Sequence, residues 1–226
     1  MKKLINHISF IFFVCFITTI SFANSPNKNK EIIDAHVYIE NKFSGVEVKP
    51  IVEAFYTWMG ETKGGITIHP PTLEQKIYFH NVLKPNIVDD DSLNLDHVKS
   101  APVAWGGACS KDFFIMRVLS SDPIVMLIDQ GKDSNVGVLA YTFLGCKYKF
   151  IAVVADRIQD DEMLKTVLIH ELGHMWGLPD NTKGNLSIMN GLYPMSKCIT
   201  KSDIEELYEL YGKKEVAKSL GGCDSK

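Results

Sequence analysis

The chain has 226 residues, 46% of them apolar, and a formal net charge of −3. That length suits one domain with room for a subdomain division, not two full domains, and the apolar share supplies a proper core. The small negative balance gives no electrostatic basis for binding nucleic acid or an anionic membrane surface.

Residues 1–23 are a different material. Lys2 and Lys3 precede an apolar stretch from Ile8 to Ile20, and Ser21-Phe22-Ala23 puts small residues where a signal peptidase reads. We expect a cleaved leader and a secreted or periplasmic mature chain starting near Asn24, with no membrane attachment afterwards. The competing reading is an uncleaved anchor, for which the run is short. Beyond the leader stand Cys109, Cys146, Cys198 and Cys223. An even number in an exported chain favours disulfides. Three pairings are open, and Cys109–Cys146 with Cys198–Cys223 is the expected one.

From Glu31 to Glu40, Ile33, Ala35, Val37 and Ile39 alternate as on a half-buried strand. Val48, Ile51, Val52, Phe55 and Met59 then follow helical spacing, with Pro50 expected in the first turn. Gly64-Gly65 ends that helix, and Ile66 to Ile68 reads as a short strand before Pro70-Pro71. Leu73 to Leu83 has the spacing of a helix, Ala104 to Gly107 of a turn, and Phe113 to Leu119 of a strand. Asp89, Asp90 and Asp91 leave calcium possible but unsupported, since a solvated acidic loop explains them as well. The continuous apolar run from Pro123 to Asp129 predicts a strand buried on both faces. Strands are expected again at Gly137–Phe143 and Phe150–Ala155. Acidic residues over Asp156–Glu162 suit the positive end of a helix dipole, and the helix is expected over Asp160–Trp176.

Within that helix, His170 and His174 are four residues apart, so both imidazoles project from one face. The spacing suits two nitrogen ligands on one zinc ion, with Glu171 beside them as a general base. Gly177 and Pro179 mark where the helix ends and the chain turns back, which brings Asp180 toward the ion as third ligand. Three protein ligands leave a fourth position open, the mark of a catalytic zinc site. A downstream acid, Glu205 or Glu206, is the rival third ligand. His36, His69, His80 and His97 have no ligand spacing to one another and read as surface or hydrogen-bonded residues. Thr200 to Asp203 makes a helix cap, followed by an apolar face at Ile204, Leu207, Tyr208 and Tyr211 that ends at Gly212.

The run His170–Asp180, followed by Ser187-Ile188-Met189-Asn190, resembles the metzincin zinc peptidases, whose extended H-E-x-x-H-x-x-G-x-x-H motif precedes a methionine turn. Asp180 replaces the third histidine, as in the snapalysin pattern. The strand–helix–strand opening with Trp58, and the closing helix after Thr200, are similar to matrixin catalytic domains. The resemblance implies an α+β fold: a twisted, mixed, mostly parallel sheet with an antiparallel edge strand, and an active-site helix. It also implies a small C-terminal subdomain after the Gly177 turn, so that 24–177 and 178–226 are the two parts. Residues 72–120 would then be an insertion, bordering the cleft or covering one side of the sheet.

The resemblance further implies that zinc is held by His170, His174 and Asp180 above Met189, with Glu171 as the catalytic base. A protein or peptide substrate would bind as an extended strand along Gly137, Val138, Leu139, Ala140 and Tyr141, with Leu192 and Tyr193 walling the specificity pocket. The expected protein is a monomeric, exported zinc endopeptidase; the rival from another class is an inactive peptidase scaffold that only binds.

Overall fold

A computed structural model gives the fold and describes residues 32–74, 101–130, 137–181, 187–190, 198–218, 220 and 222. The expected leader, the three adjacent aspartates, His80, His97, Leu192, Tyr193 and Cys223 lie outside the described residues. No helix among the described residues is long and apolar enough to cross a membrane.

The chain is α+β. Strand β1 (Ile33–Glu40) leads to helix α1 (Gly45–Glu61) and strand β2 (Ile66–Glu74). A short helix α2 (Ala101–Ala104), strand β3 (Asp112–Val118) and helix α3 (Pro123–Gln130) follow. Strands β4 (Ala140–Leu144) and β5 (Lys149–Val154) then form a hairpin before helix α4 (Asp161–Trp176). Helices α5 (Lys201–Leu210) and α6 (Lys214–Ala217) close the described chain.

The five strands make one sheet in the order β2-β1-β3-β5-β4, parallel except for β4, which runs antiparallel to β5 at one edge. Ile33, Ala35, Val37 and Ile39 of β1 point to one face, where they join Ile51, Phe55 and Trp58 of α1 and Leu164, Val167 and Leu168 of α4 in the main core. Trp58 Nε1 donates to the Ile169 carbonyl at 2.8 Å and fixes α1 against α4. On the opposite face Met116, Phe150 and Ala152 are buried, with Ile124 of α3, Tyr141 and Phe143 packed on them. The sheet is thus covered on both sides over β3 and β5, while the second face of β1 and β2 carries the half-exposed Asp34, His36 and His69.

Several expectations are corrected. Pro123–Asp129 is a helix, not a buried strand. Eight apolar-rich residues do not separate the two by length. The deciding signals are Asp122, whose carboxylate accepts from Ile124 N at 3.1 Å, and Pro123 in the first turn, where a missing N–H costs nothing. Helix α1 begins three residues earlier than expected, capped by Ser44 and Glu47 in a reciprocal box, so Pro50 lies in the second turn. Strand β2 continues through Pro70 and Pro71 to Glu74, so residues 73 and 74 are strand rather than the start of a helix. Proline is tolerated there because β2 is an edge strand, and the pairing with β1 shifts by one residue between His36 and Tyr38.

The span 72–120 is not an addition beside the sheet throughout, because β3 lies at its centre, paired with β1 and β5. Trp105 from the same span is buried, and its Nε1 donates to the Met175 carbonyl at 2.7 Å, near the end of α4. Cys109 and Cys146 form a disulfide. Cys198 is also disulfide-bonded.

Candidate metal centre

Helix α4 is fixed at both ends. Asp160 caps it, accepting from Met163 N at 2.7 Å. At the other end Gly177 takes a left-handed φ of 106°; its N–H donates to the His174 carbonyl at 2.9 Å, and Leu178 N donates to the Gly173 carbonyl at 2.9 Å. This paired closure needs a residue without a Cβ at that φ, and it turns the chain back across the helix end.

The turn brings Asp180 to both histidines. Its Oδ1 lies 3.4 Å from His170 Nε2 and 3.4 Å from His174 Nε2. The other ring nitrogens rest on main-chain carbonyls: His170 Nδ1 on Ile188 O at 2.9 Å, and His174 Nδ1 on Leu178 O at 2.8 Å. Each ring is oriented so that its Nε2 faces the same point, with Nδ1–H donating outward. Metal–ligand distances of about 2.0–2.1 Å would put neighbouring ligand atoms of a tetrahedron about 3.3–3.4 Å apart. The observed spacing matches that edge and exceeds the usual N–H···O length of about 2.9–3.0 Å. By donor type and spacing, the three residues fit a small divalent cation such as zinc.

Electrostatics favour a cation here. Burial works to raise the Asp180 carboxyl, but hydrogen bonding and charge from His170 and His174 outweigh it and hold the group well below the usual carboxylate range. Burial works to lower His174, yet the Asp180 carboxylate accepting at its Nε2, the charges of Glu171 and Asp180, and the Leu178 carbonyl raise it above its ordinary value.

Glu171 is buried beside the histidines, and its Oε2 accepts from Thr142 Oγ1 at 2.7 Å. Met189 is buried against Gly173: a Cβ on that glycine would meet Met189 Sδ at 2.2 Å. The segment carrying Met189 is tied down on several sides. Ser187 Oγ donates to Asp203 Oδ1 at 2.6 Å and accepts from Met189 N, Ile188 N donates to Cys198 O, and Asn181 N donates to Met189 O. The chain matches no protein-family model, and no curated protein matches it in sequence.

The structure therefore brings His170, Glu171, His174, Asp180 and Met189 together. Glu205 and Glu206 are not in the cluster of candidate ligands formed among the described residues. The expected substrate strand is placed differently from the sequence reading. Gly137, Val138 and Leu139 precede β4 rather than belonging to it. Val138 is used internally: its N–H donates to Asp129 Oδ1 at 2.9 Å and its carbonyl accepts from Arg157 at 2.7 Å. Arg157 also grips Asp129 with both terminal nitrogens, at 3.1 and 2.6 Å, and a Cβ on Gly137 would fall 2.5 Å from that guanidinium.

Ala140 and Tyr141 do lie in β4, paired with Val153 and Ala152. Since Val154 N donates to Leu139 O, the antiparallel alternation turns the N–H and C=O groups of Ala140, Thr142 and Leu144 away from β5. Sequence reasoning missed Thr142 and Arg157. The alternation of β4 would have paired Thr142 with the buried face, but nothing local says which helix residue it meets.

Proposed function

We propose that this chain is an exported zinc-dependent endopeptidase of the metzincin type. The observation that carries the reading is the convergence of His170 Nε2, His174 Nε2 and Asp180 Oδ1 at ligand spacing, with the Glu171 carboxylate alongside. The Gly177 turn, buried Met189 beside α4 and the antiparallel edge strand support the clan.

Zinc bound by His170, His174 and Asp180 supplies a Lewis acid that polarises a peptide carbonyl and acidifies water. Glu171 accepts a proton from the attacking water on its carboxylate and returns it to the departing amine. Thr142 steadies that carboxylate through its hydroxyl. Its own N–H and C=O, with those of Ala140 and Leu144, face the side on which an extended substrate would add as a further strand.

Degradation of a generic unfolded protein, blocked by a chelator and restored by zinc, is the expected activity. Glu171→Ala should retain zinc and lose about 10²–10⁴-fold in rate, the usual contribution of a positioned acid–base group. Cleavage at the parental rate by zinc-loaded Glu171→Ala would overturn the assignment of the base. A zinc-loaded parent that cleaves nothing would point instead to a binding protein on this scaffold.

A further inference from the structure

We infer that Asp34, His36 and His69 form a second divalent-cation site, on the sheet face opposite α4, with Asp112 at its border. The sequence offers no spacing that joins these residues; His36 and His69 are surface residues as expected, and strand register sets them side by side. In the parallel pairings, His36 of β1 lies level with His69 of β2 on one side and with Asp112 of β3 on the other. Asp34 stands two residues earlier on β1 and so shares a face with His36. Because Ile33, Ala35 and Val37 point into the main core, Asp34 and His36 point the other way, and this cluster is separate from the centre on α4.

The four side chains already engage one another. His69 Nε2 lies 2.7 Å from Asp34 Oδ1, and His36 Nδ1 lies 3.6 Å from Asp112 Oδ1. The two imidazoles meet edge to face with centroids 4.4 Å apart. Candidate ligand atoms of Asp34, His36 and His69 lie within 4.8 Å of one another. Reaching a tetrahedral edge of about 3.3 Å means parting His69 and Asp34 from 2.7 Å and bringing His36 toward them, which rotations of these half-exposed side chains supply.

Asp112 is held in place by Ser110, whose hydroxyl donates to Oδ2 at 3.2 Å and accepts from Asp112 N at 3.0 Å. Two imidazoles with carboxylate suit zinc, nickel or copper rather than calcium or magnesium, which prefer all-oxygen sites. An ion there ties β2 to β1, and through the neighbouring Asp112 to β3, at the level where Pro70 and Pro71 interrupt the β1–β2 pairing. Its role is structural, a cross-link that fastens the edge strand.

The test is zinc stoichiometry and thermal stability on the untagged full chain, compared with His36→Ala/His69→Ala and with His170→Ala/His174→Ala. The parent should bind two equivalents and each double variant one. Zinc should raise the melting temperature of the His170/His174 variant and leave that of a combined four-histidine variant unmoved. Loss of zinc only in the His36/His69 variant supports this site even if the centre on α4 fails. Stoichiometry unchanged by His36→Ala/His69→Ala overturns the proposal. So does a zinc-induced stabilisation that survives in the four-histidine variant. Circular dichroism of each variant checks its fold, and the half-exposed positions of His36 and His69 lead us to expect that replacing those two leaves it intact.

Discussion

At the scale of single residues, Thr142 joins the sheet edge to the proposed chemistry. Its hydroxyl reaches both the carboxylate and the main-chain carbonyl of Glu171, at 2.7 and 3.0 Å. Thr142→Val keeps the shape and removes the donor. A hydrogen bond to a charged group is worth about 1.5–3 kcal/mol, so kcat/KM should fall by roughly tenfold or more while zinc content stays at the parental value. An unchanged kcat/KM would leave the hydroxyl without a role in the reaction. Lys149 makes a different prediction. It is fully buried, donates to the Ser110 and Cys146 carbonyls and lies 4.7 Å from the Trp105 ring centroid. Burial first, then the charge of Lys111, lower it from 10.5 to about 8, with Asp112 opposing. Between those two values the unfolded chain binds more protons than the folded one, so stability rises with pH across the window, by up to about 3 kcal/mol. Denaturant titrations through that range should show the climb in the parent and a flatter profile in Lys149→Met.

At the scale of elements, α4 illustrates a glycine retained against helix propensity. Gly173→Ala gains about 1 kcal/mol of intrinsic helicity. The added methyl would fall 2.2 Å from Met189 Sδ, 2.8 Å from Met189 Cε and 3.3 Å from Trp58 Cζ2, all in the core. Overpacking of that kind costs about 1–3 kcal/mol, so a net loss of about 1 kcal/mol is expected by denaturation. Zinc affinity should fall with it, because Met189 adjoins Ile188, whose carbonyl orients His170. This helix was legible in the sequence: the histidine spacing, the Gly177 stop and the returning Asp180 are all local signals. Helix α3 was not, since a short apolar run satisfies a buried strand and a packed helix alike until its cap is weighed. Strand β2 was cut short because prolines were read as a stop, and only its edge position explains their presence.

At the scale of the whole molecule, the order β2-β1-β3-β5-β4 depends on pairings between distant segments, which no local pattern encodes. That is why the central strand β3 was assigned to an added segment, and why the register that sets His36 against His69 was invisible. Disulfides, by contrast, are expected from the even cysteine count and the expected leader; those signals leave three pairings open, and the structure joins Cys109 to Cys146. This bridge joins the approach to β3 with the β4–β5 turn across 37 residues of sequence, and Ser110 N donates to Cys146 O beside it. A closed loop of that size is worth about 4 kcal/mol in the chain-entropy account. Cys109→Ala/Cys146→Ala should therefore lose stability on that order in urea while keeping the sheet's circular dichroism. A loss below about 1 kcal/mol would place most of the constraint in the surrounding hydrogen bonds.

The carbonyls of Ile188 and Leu178 beneath the two rings have one more effect. Both outer partners are neutral peptide oxygens, so Asp180 is the sole anion in the ligand trio, and a dication seated there would keep one net positive charge before Glu171 is counted. Nor can a side-chain replacement delete either oxygen. Ring alignment is consequently inherited from the path of the main chain, and substitutions that spoil it should cluster at positions that bend that path, such as Gly177 and Ser187, rather than at a polar neighbour of the imidazoles.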